Sequence, residues 1–259
     1  YYDRVVDCCL RHGVTPWMTL YHWELPQALE AGGGWLRRET AEAFARFAGR
    51  MARHFGGRVS RFITLNEPQI VLKLGYCDGV HAPGRRCPLP QLVQCWKSLM
   101  LAHGLAFRAI RSAAPGAQIG IASTGKLCYP HSPSDEEAAR EETFRLTDAD
   151  WMFTHPITLD AVCFGRVEPE PGALSSLMRK ISQEDWDIMH AVPDFIGINS
   201  YNGSEIAADA NGRPVYLPRP KGFPCTALKW PITPEIMEYG YAFLYGRYRL
   251  PLYVTECGL

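Results

Sequence analysis

Two glutamates in this chain stand where a carboxylate can do chemistry. Glu67 follows the run Phe62-Ile63-Thr64-Leu65-Asn66 and precedes Pro68. Glu256 closes Leu252-Tyr253-Val254-Thr255 and precedes Cys257-Gly258. Each run is rich in residues that favour a strand, and each stops at an acid and a turn former. Strand C-termini of a parallel barrel share one face, so acids from two strands converge there however far apart they lie in sequence. Two carboxyls flanking a sugar are the minimum equipment for cleaving a glycosidic bond: one attacks the anomeric carbon while the other moves the proton.

The elements that must position them follow from the pattern. Residues 14–21 read as a strand ending in Tyr21-His22-Trp23, and residues 194–198 as one running into Asn199-Ser200-Tyr201. A third strand, 118–122, leads to Ser123-Thr124, which are less telling. Between the strands lie helical stripes. Tyr2, Val5, Val6, Cys9 and Leu10 fall on one face of an opening helix stopped by Gly13. Phe44, Phe47, Met51 and Phe55 form the apolar side of a second helix, with Arg46, Arg50 and Arg53 opposite. A third spans residues 89–110, and Thr233-Pro234 reads as an N-cap and first turn of another. Residues 123–194 are the least regular, and 202–229, rich in Gly and Pro, read as an extended loop. Strands alternating with helices predict an α/β fold of parallel βα units.

Composition sets the bounds. The 27 basic and 27 acidic residues cancel, which argues against nucleic acid or an anionic membrane as partner, since both require a basic excess. No apolar run is long enough to span a bilayer. Nine cysteines, an odd number at irregular spacing without C-x-x-C, point to reduced thiols and a cytoplasmic location, with an occasional disulfide left open. Among the remaining candidates, His103 lies on the same helix face as Trp96 and Leu99 and reads as a core histidine. Trp17, Trp35, Trp96, Trp151 and Trp186 read as scaffold, with Trp230 undecided. Arg37-Arg38 and Arg85-Arg86 read as solvated loop charges.

Four strings together carry a resemblance: Tyr21-His22-Trp23-Glu24-Leu25-Pro26, Thr64-Leu65-Asn66-Glu67-Pro68, Phe195-Ile196-Gly197-Ile198-Asn199-Ser200-Tyr201 and Val254-Thr255-Glu256-Cys257-Gly258. With His81-Ala82-Pro83-Gly84 and Trp230-Pro231 between them, the chain resembles glycoside hydrolase family 1, the β-glucosidase family, which also holds 6-phospho-β-glycosidases. The resemblance implies a (β/α)8 TIM barrel and a retaining β-glycosidase. Glu67 would then be the general acid/base and Glu256 the nucleophile. Asn66 would bind the sugar 2-hydroxyl, Asn199 and Tyr201 would support the carboxylates, and His22 and Trp23 would line the sugar pocket. No metal and no organic cofactor is called for. The partner expected is a small β-glycoside or oligosaccharide.

Two departures qualify that expectation. Family members usually carry Asn after the nucleophile, where this chain has Cys257, a weaker hydrogen-bond partner. Only about five of eight barrel strands can be counted. Residues 1–259 are therefore expected to form one truncated (β/α)8 catalytic domain of a longer enzyme. By the resemblance, the absent strands would bring a Gln, a Trp and a Glu that grip the other sugar hydroxyls. Alone, the piece is expected to fold poorly and hydrolyse little. Two alternatives stay open, a 6-phospho-β-glycosidase and an inactive sugar-binding or scaffold fragment.

Overall fold

The five strand-forming runs assemble into one parallel sheet. In the computed structural model, which describes residues 1–258, these are β1 (Trp17–Tyr21), β2 (Arg61–Asn66), β3 (Gln118–Ser123), β5 (Phe195–Asn199) and β8 (Leu252–Glu256), in the order β1-β2-β3-β5-β8. Every neighbouring pair in it is parallel. The sheet is an arc of a TIM barrel, and among the described residues its first and last strands are unpaired on their outer sides. The register shifts at two places, between Ile63 and Asn66 and between Ile198 and Asn199. Both lie at strand ends that carry candidate site residues, where bulges re-aim side chains.

Helices α1 (Tyr2–Arg11), α2 (Gln27–Ala31), α3 (Arg38–Phe55) and α5 (Leu89–Ala113) surround the first half of the sheet. A short turn α4 (Pro68–Ile70) passes directly into a π-helical stretch, Val71–Cys77. α3 packs on α5 through small residues, with Gly49 close against Ala109. This shifts the buried stripe of α3 towards Ala41, Phe44, Ala48, Ala52 and Phe55, so Phe47, expected inside, is 43% exposed. The face expected to be buried on α1 is also largely open. Only Val6 is buried, while Tyr2, Val5 and Leu10 are exposed.

Two stretches are more ordered than their sequence suggests. Residues 123–194 hold β4 (Cys128–Pro130), α6 (Glu136–Phe144), α7 (Pro156–Phe164), α8 (Ala173–Met178) and α9 (Gln183–Met189). The expected extended loop contains β6 (Ser204–Ala208) and β7 (Pro214–Tyr216). β6 pairs parallel with β4 and antiparallel with β7, forming a second, three-stranded sheet. Cys128, Ala138, Ala139, Ile206 and Phe243 make its small core against α6 and α10 (Tyr239–Tyr248). Thr233 is not the side-chain cap expected of it. It precedes a 3-10 turn, Pro234–Met237, and its hydroxyl accepts from the Gly203 N–H at 2.8 Å instead.

On the sheet's inner side, Trp17, Phe195 and Tyr253 meet edge to face at 4.8–5.4 Å. Gly120 makes room for them, since a Cβ there would lie 2.3 Å from the Phe195 ring. Trp17 is 36% exposed rather than core. Trp35, Trp96 and Trp151 are buried, and Trp186 packs on Trp96 at 5.9 Å. His103 is fully buried between Thr64 and the Ala191 carbonyl, and burial holds its pKa down at about 4. Arg37 pairs with Glu39 at the surface, but Arg38 and Lys97 bind Asp185. Arg85 is no solvated loop charge: its Nε donates to Glu30 at 2.7 Å, beneath Tyr76.

Candidate active site

Asn66 and Asn199 are the last residues of β2 and β5, Glu256 is the last of β8, and Glu67 follows β2 directly. The parallel sheet therefore sets all four at one end. Asn199 joins them. It is the ladder partner of Glu256 across β5 and β8. Its amide donates one hydrogen to Glu67 Oε1 at 2.7 Å and the other to Asn66 Oδ1 at 3.1 Å. Its own Oδ1 accepts from Thr255 Oγ1 at 2.5 Å. A side chain with no exposed surface and this many partners has one rotamer available.

The outer members attach to that centre. Asn66 Nδ2 donates to His22 Nε2 at 3.3 Å, and the Trp23 indole N–H donates to the Asn66 carbonyl at 3.0 Å. The Tyr201 hydroxyl donates to Glu256 Oε2. All seven residues singled out from the sequence thus form one connected cluster. His22 is exposed, Trp23, Tyr201 and Glu256 are half-buried, and Asn66, Glu67 and Asn199 are buried.

Electrostatics separate the two carboxyls. Glu67 is 5% exposed, and burial raises its pKa to about 7. The Asn199 amide opposes the rise, and the charge of Glu256 adds to it. Around neutral pH this group is poised to give or take a proton. Burial, then the bond to Glu256, pushes the Tyr201 phenol above its ordinary value, so it stays a donor. A buried carboxyl that exchanges its proton near neutrality thus senses the charge of one that accepts a phenolic hydrogen bond.

Sequence reasoning passed over several contributors. Thr255 orients Asn199, Thr124 Oγ1 donates to the Asn199 carbonyl at 3.2 Å, and Ser123 and Gln69 bond each other at 2.7 Å. Ser123-Thr124, the least telling strand end, anchors its neighbours on both sides. The sequence signal was only that two hydroxyls end a strand in register with two acidic ones. Trp230 lies 5.1 Å from the Tyr201 ring, and His81 lies 5.5 Å from Trp23. Cavities of about 520 and 240 Å³ flank Trp23; the larger reaches Tyr21, Glu30, Tyr76 and Pro83. Both lie beside the carboxylates rather than on them, so the hydrogen-bonded cluster marks the chemistry better than cavity size. Among the described residues no His/Cys/Asp/Glu group is arranged to hold a metal ion. No helix there is long and apolar enough to cross a membrane.

Comparison with known proteins agrees with this geometry. The profile of glycosyl hydrolase family 1 matches residues 1–259. β-Glucosidase A of Thermotoga maritima is 32% identical over all of this chain and 57% of its own length. β-Glucosidase 1B of Phanerodontia chrysosporium is 33% identical, with 51% of its length covered. Among solved structures, a Thermotoga maritima β-glucosidase in complex with a methyl acetic acid-substituted glucoimidazole superposes with a TM-score of 0.82 and 30% identity, covering 99% of this chain and 56% of that one. The chain spans a little over half the length of these relatives. With its arc of barrel strands and its cluster of strand-end polar residues, the chain belongs to glycosyl hydrolase family 1.

Proposed function

We propose that residues 1–259 are a single, truncated (β/α)8 catalytic domain carrying the reactive half of a retaining β-glycosidase that acts on terminal β-linked sugars. Glu256 attacks the anomeric carbon, and Glu67 gives its proton to the leaving oxygen. The first step esterifies Glu256 and removes its charge. Glu67 then takes a proton from water, which cleaves the ester with net retention. Asn66, with one amide N–H engaged by His22, turns the other to the sugar 2-hydroxyl. His22 and Trp23 line the sugar pocket, and Asn199 and Tyr201 hold the two carboxyls. The chemistry needs carboxyls and water alone.

The observation that carries this reading is Asn199, which bonds Glu67 through its side chain and faces Glu256 through the strand ladder. One residue thus ties the Glu67 carboxyl by its amide and neighbours Glu256 across the strand ladder, which supports a shared reaction space. A β-glucoside is the favoured substrate, because one solved relative, the Thermotoga maritima β-glucosidase, is found in complex with a glucoimidazole and with noeuromycin. Nine free thiols favour a reducing, cytoplasmic setting.

The test is covalent trapping. A 2-fluoro β-glucoside with an activated aryl leaving group is incubated with the chain. It is also incubated with a chimera in which the Thermotoga maritima relative supplies the remaining strands. A sugar ester on the peptide containing Glu256, absent in Glu256→Ala, is expected. No ester and no turnover in the chimera, with saturable sugar binding retained, would leave an inactive binding scaffold as the better description.

A further inference from the structure

Three buried side chains outside the seven-residue cluster form a directed hydrogen-bond chain that ends on the turn carrying Glu67. Gln69, Ser123 and His155 have almost no exposed surface. Gln69 Nε2 lies 2.7 Å from Ser123 Oγ and 3.3 Å from the Thr154 carbonyl oxygen. A carbonyl oxygen only accepts, so the amide edge facing it is the NH2, and Gln69 donates to Ser123. Ser123 then directs its single hydrogen to its other neighbour, His155 Nδ1, at 3.0 Å. Burial holds the His155 pKa down at about 3, so the ring is neutral with one N–H, which this geometry assigns to Nε2.

His155 has a feature that structural stability alone does not account for. Its Nε2 has no hydrogen-bond partner among the described residues. Burying an imidazole with an unpaired N–H works against folding, so the bond to Ser123 is its one polar return.

The chain reaches Glu67 through β3. Three successive β3-end residues hold three site elements. The Ala122 carbonyl accepts from the Glu67 N–H at 2.9 Å, Ser123 holds Gln69, and Thr124 holds the Asn199 carbonyl. Glu67 sits at φ +46°, ψ +60°, and the Glu67 carbonyl accepts from the Ile70 N–H at 2.9 Å, closing a turn with Gln69 inside it. Backbone and side chain thus clamp the turn to adjacent residues of β3.

We propose that Gln69, Ser123 and His155 are positioning residues for Glu67. His155 takes the Ser123 hydrogen, which leaves Ser123 oxygen lone pairs for Gln69, and Gln69 fixes the turn that keeps the Glu67 carboxyl in its dry pocket. The catalytic consequence rests on the role given to Glu67 above, but the test reads the carboxyl itself and needs no turnover.

Two nuclear magnetic resonance measurements on the full chain decide it. Nitrogen-15 labelling of histidine is expected to show His155 neutral, with its proton on Nε2, from pH 5 to 8. A proton on Nδ1 would overturn the proposal whatever the variants do. Carbon-13 labelling of glutamate carboxyls then follows Glu67, whose nearest titrating groups are Glu256 and Tyr201. The Glu67 midpoint is expected to fall by about half a unit or more in Ser123→Ala and His155→Phe as the pocket hydrates, and to stay in Ser123→Thr. An unchanged midpoint in a Ser123→Ala protein that melts like the parent would also overturn it. Should Ser123→Ala not fold, the tautomer of the parent chain still supports or overturns the proposal. Failure of covalent trapping with these results intact would count against the glycosidase reading alone.

Discussion

The backbone at Glu67 works against a glutamate. Its φ of +46° lies in the left-handed region, where a Cβ crowds the neighbouring peptide, at a cost of about 1 kcal/mol or more. Burial adds a second, pH-dependent cost. The folded pKa of about 7 lies above that of an ordinary glutamate. Below the unfolded pKa both states hold the proton. As pH rises, the unfolded chain ionises first, and stability is lost until the folded group ionises near 7, by roughly 3–4 kcal/mol in all. Glu67→Gln is therefore expected to raise the melting temperature at pH 8 and to change it far less at pH 4, as calorimetry would register. In the complete barrel the same group predicts that kcat/KM falls as pH rises through about 7. Glu67→Gln should remove that limb and slow unactivated glycosides by roughly 10²–10⁴-fold, while activated aryl glycosides lose much less. Tyr201→Phe deletes a hydrogen bond to a carboxylate, worth about 1.5–3 kcal/mol. A loss of roughly tenfold or more in kcat/KM with folding retained is expected, and an unchanged value would remove Tyr201 from the nucleophile's support.

Between α7 and α10, Asp160 accepts from Arg247 at 2.6 and 3.0 Å and from the Tyr248 hydroxyl at 2.8 Å. Arg247 is about one-third exposed, so Asp160→Ala should cost about 2 kcal/mol, less than for a wholly buried pair, measurable by urea unfolding. How far such elements can be read from sequence depends on where their information lies. The five barrel strands announce themselves through local runs of β-branched and aromatic residues that stop at His, Asn, Glu or Ser. β6 does not: Ser-Glu-Ile-Ala-Ala has weak strand propensity and one buried residue, Ile206. Its reason for being a strand is β4, whose paired residues lie 76 positions earlier. Ile206→Ala is expected to cost about 2–5 kcal/mol, since that side chain is central to the small core. The apolar stripe on α1 was legible as a stripe, but periodicity reports sidedness without naming what covers it. Likewise the seven candidate site residues were visible as strand ends and Ser123 only as a less telling one, whereas Gln69 and His155 were not. Their importance lies in bond directions that appear only when three segments meet.

At the scale of the whole molecule, β1 and β8 each leave one edge of the sheet unpaired among the described residues. Val254 on β8 and the α1 stripe of Tyr2, Val5 and Leu10 are exposed. Such edges and faces recruit other chains. This 259-residue polypeptide should therefore associate reversibly as its concentration rises, visible in sedimentation velocity, and a partner supplying the remaining barrel strands should suppress this. Specificity is split in the same way. On the proposed reading Glu67 and Glu256 belong to this arc, while part of the sugar's outline would be read by whatever closes it. The Trp17–Phe195–Tyr253 cluster provides an optical gauge of that closure. Indole emission shifts to shorter wavelength as water leaves its surroundings. The contribution of Trp17, isolated by subtracting the spectrum of a Trp17→Phe protein, should turn blue and escape acrylamide quenching when the interior is capped.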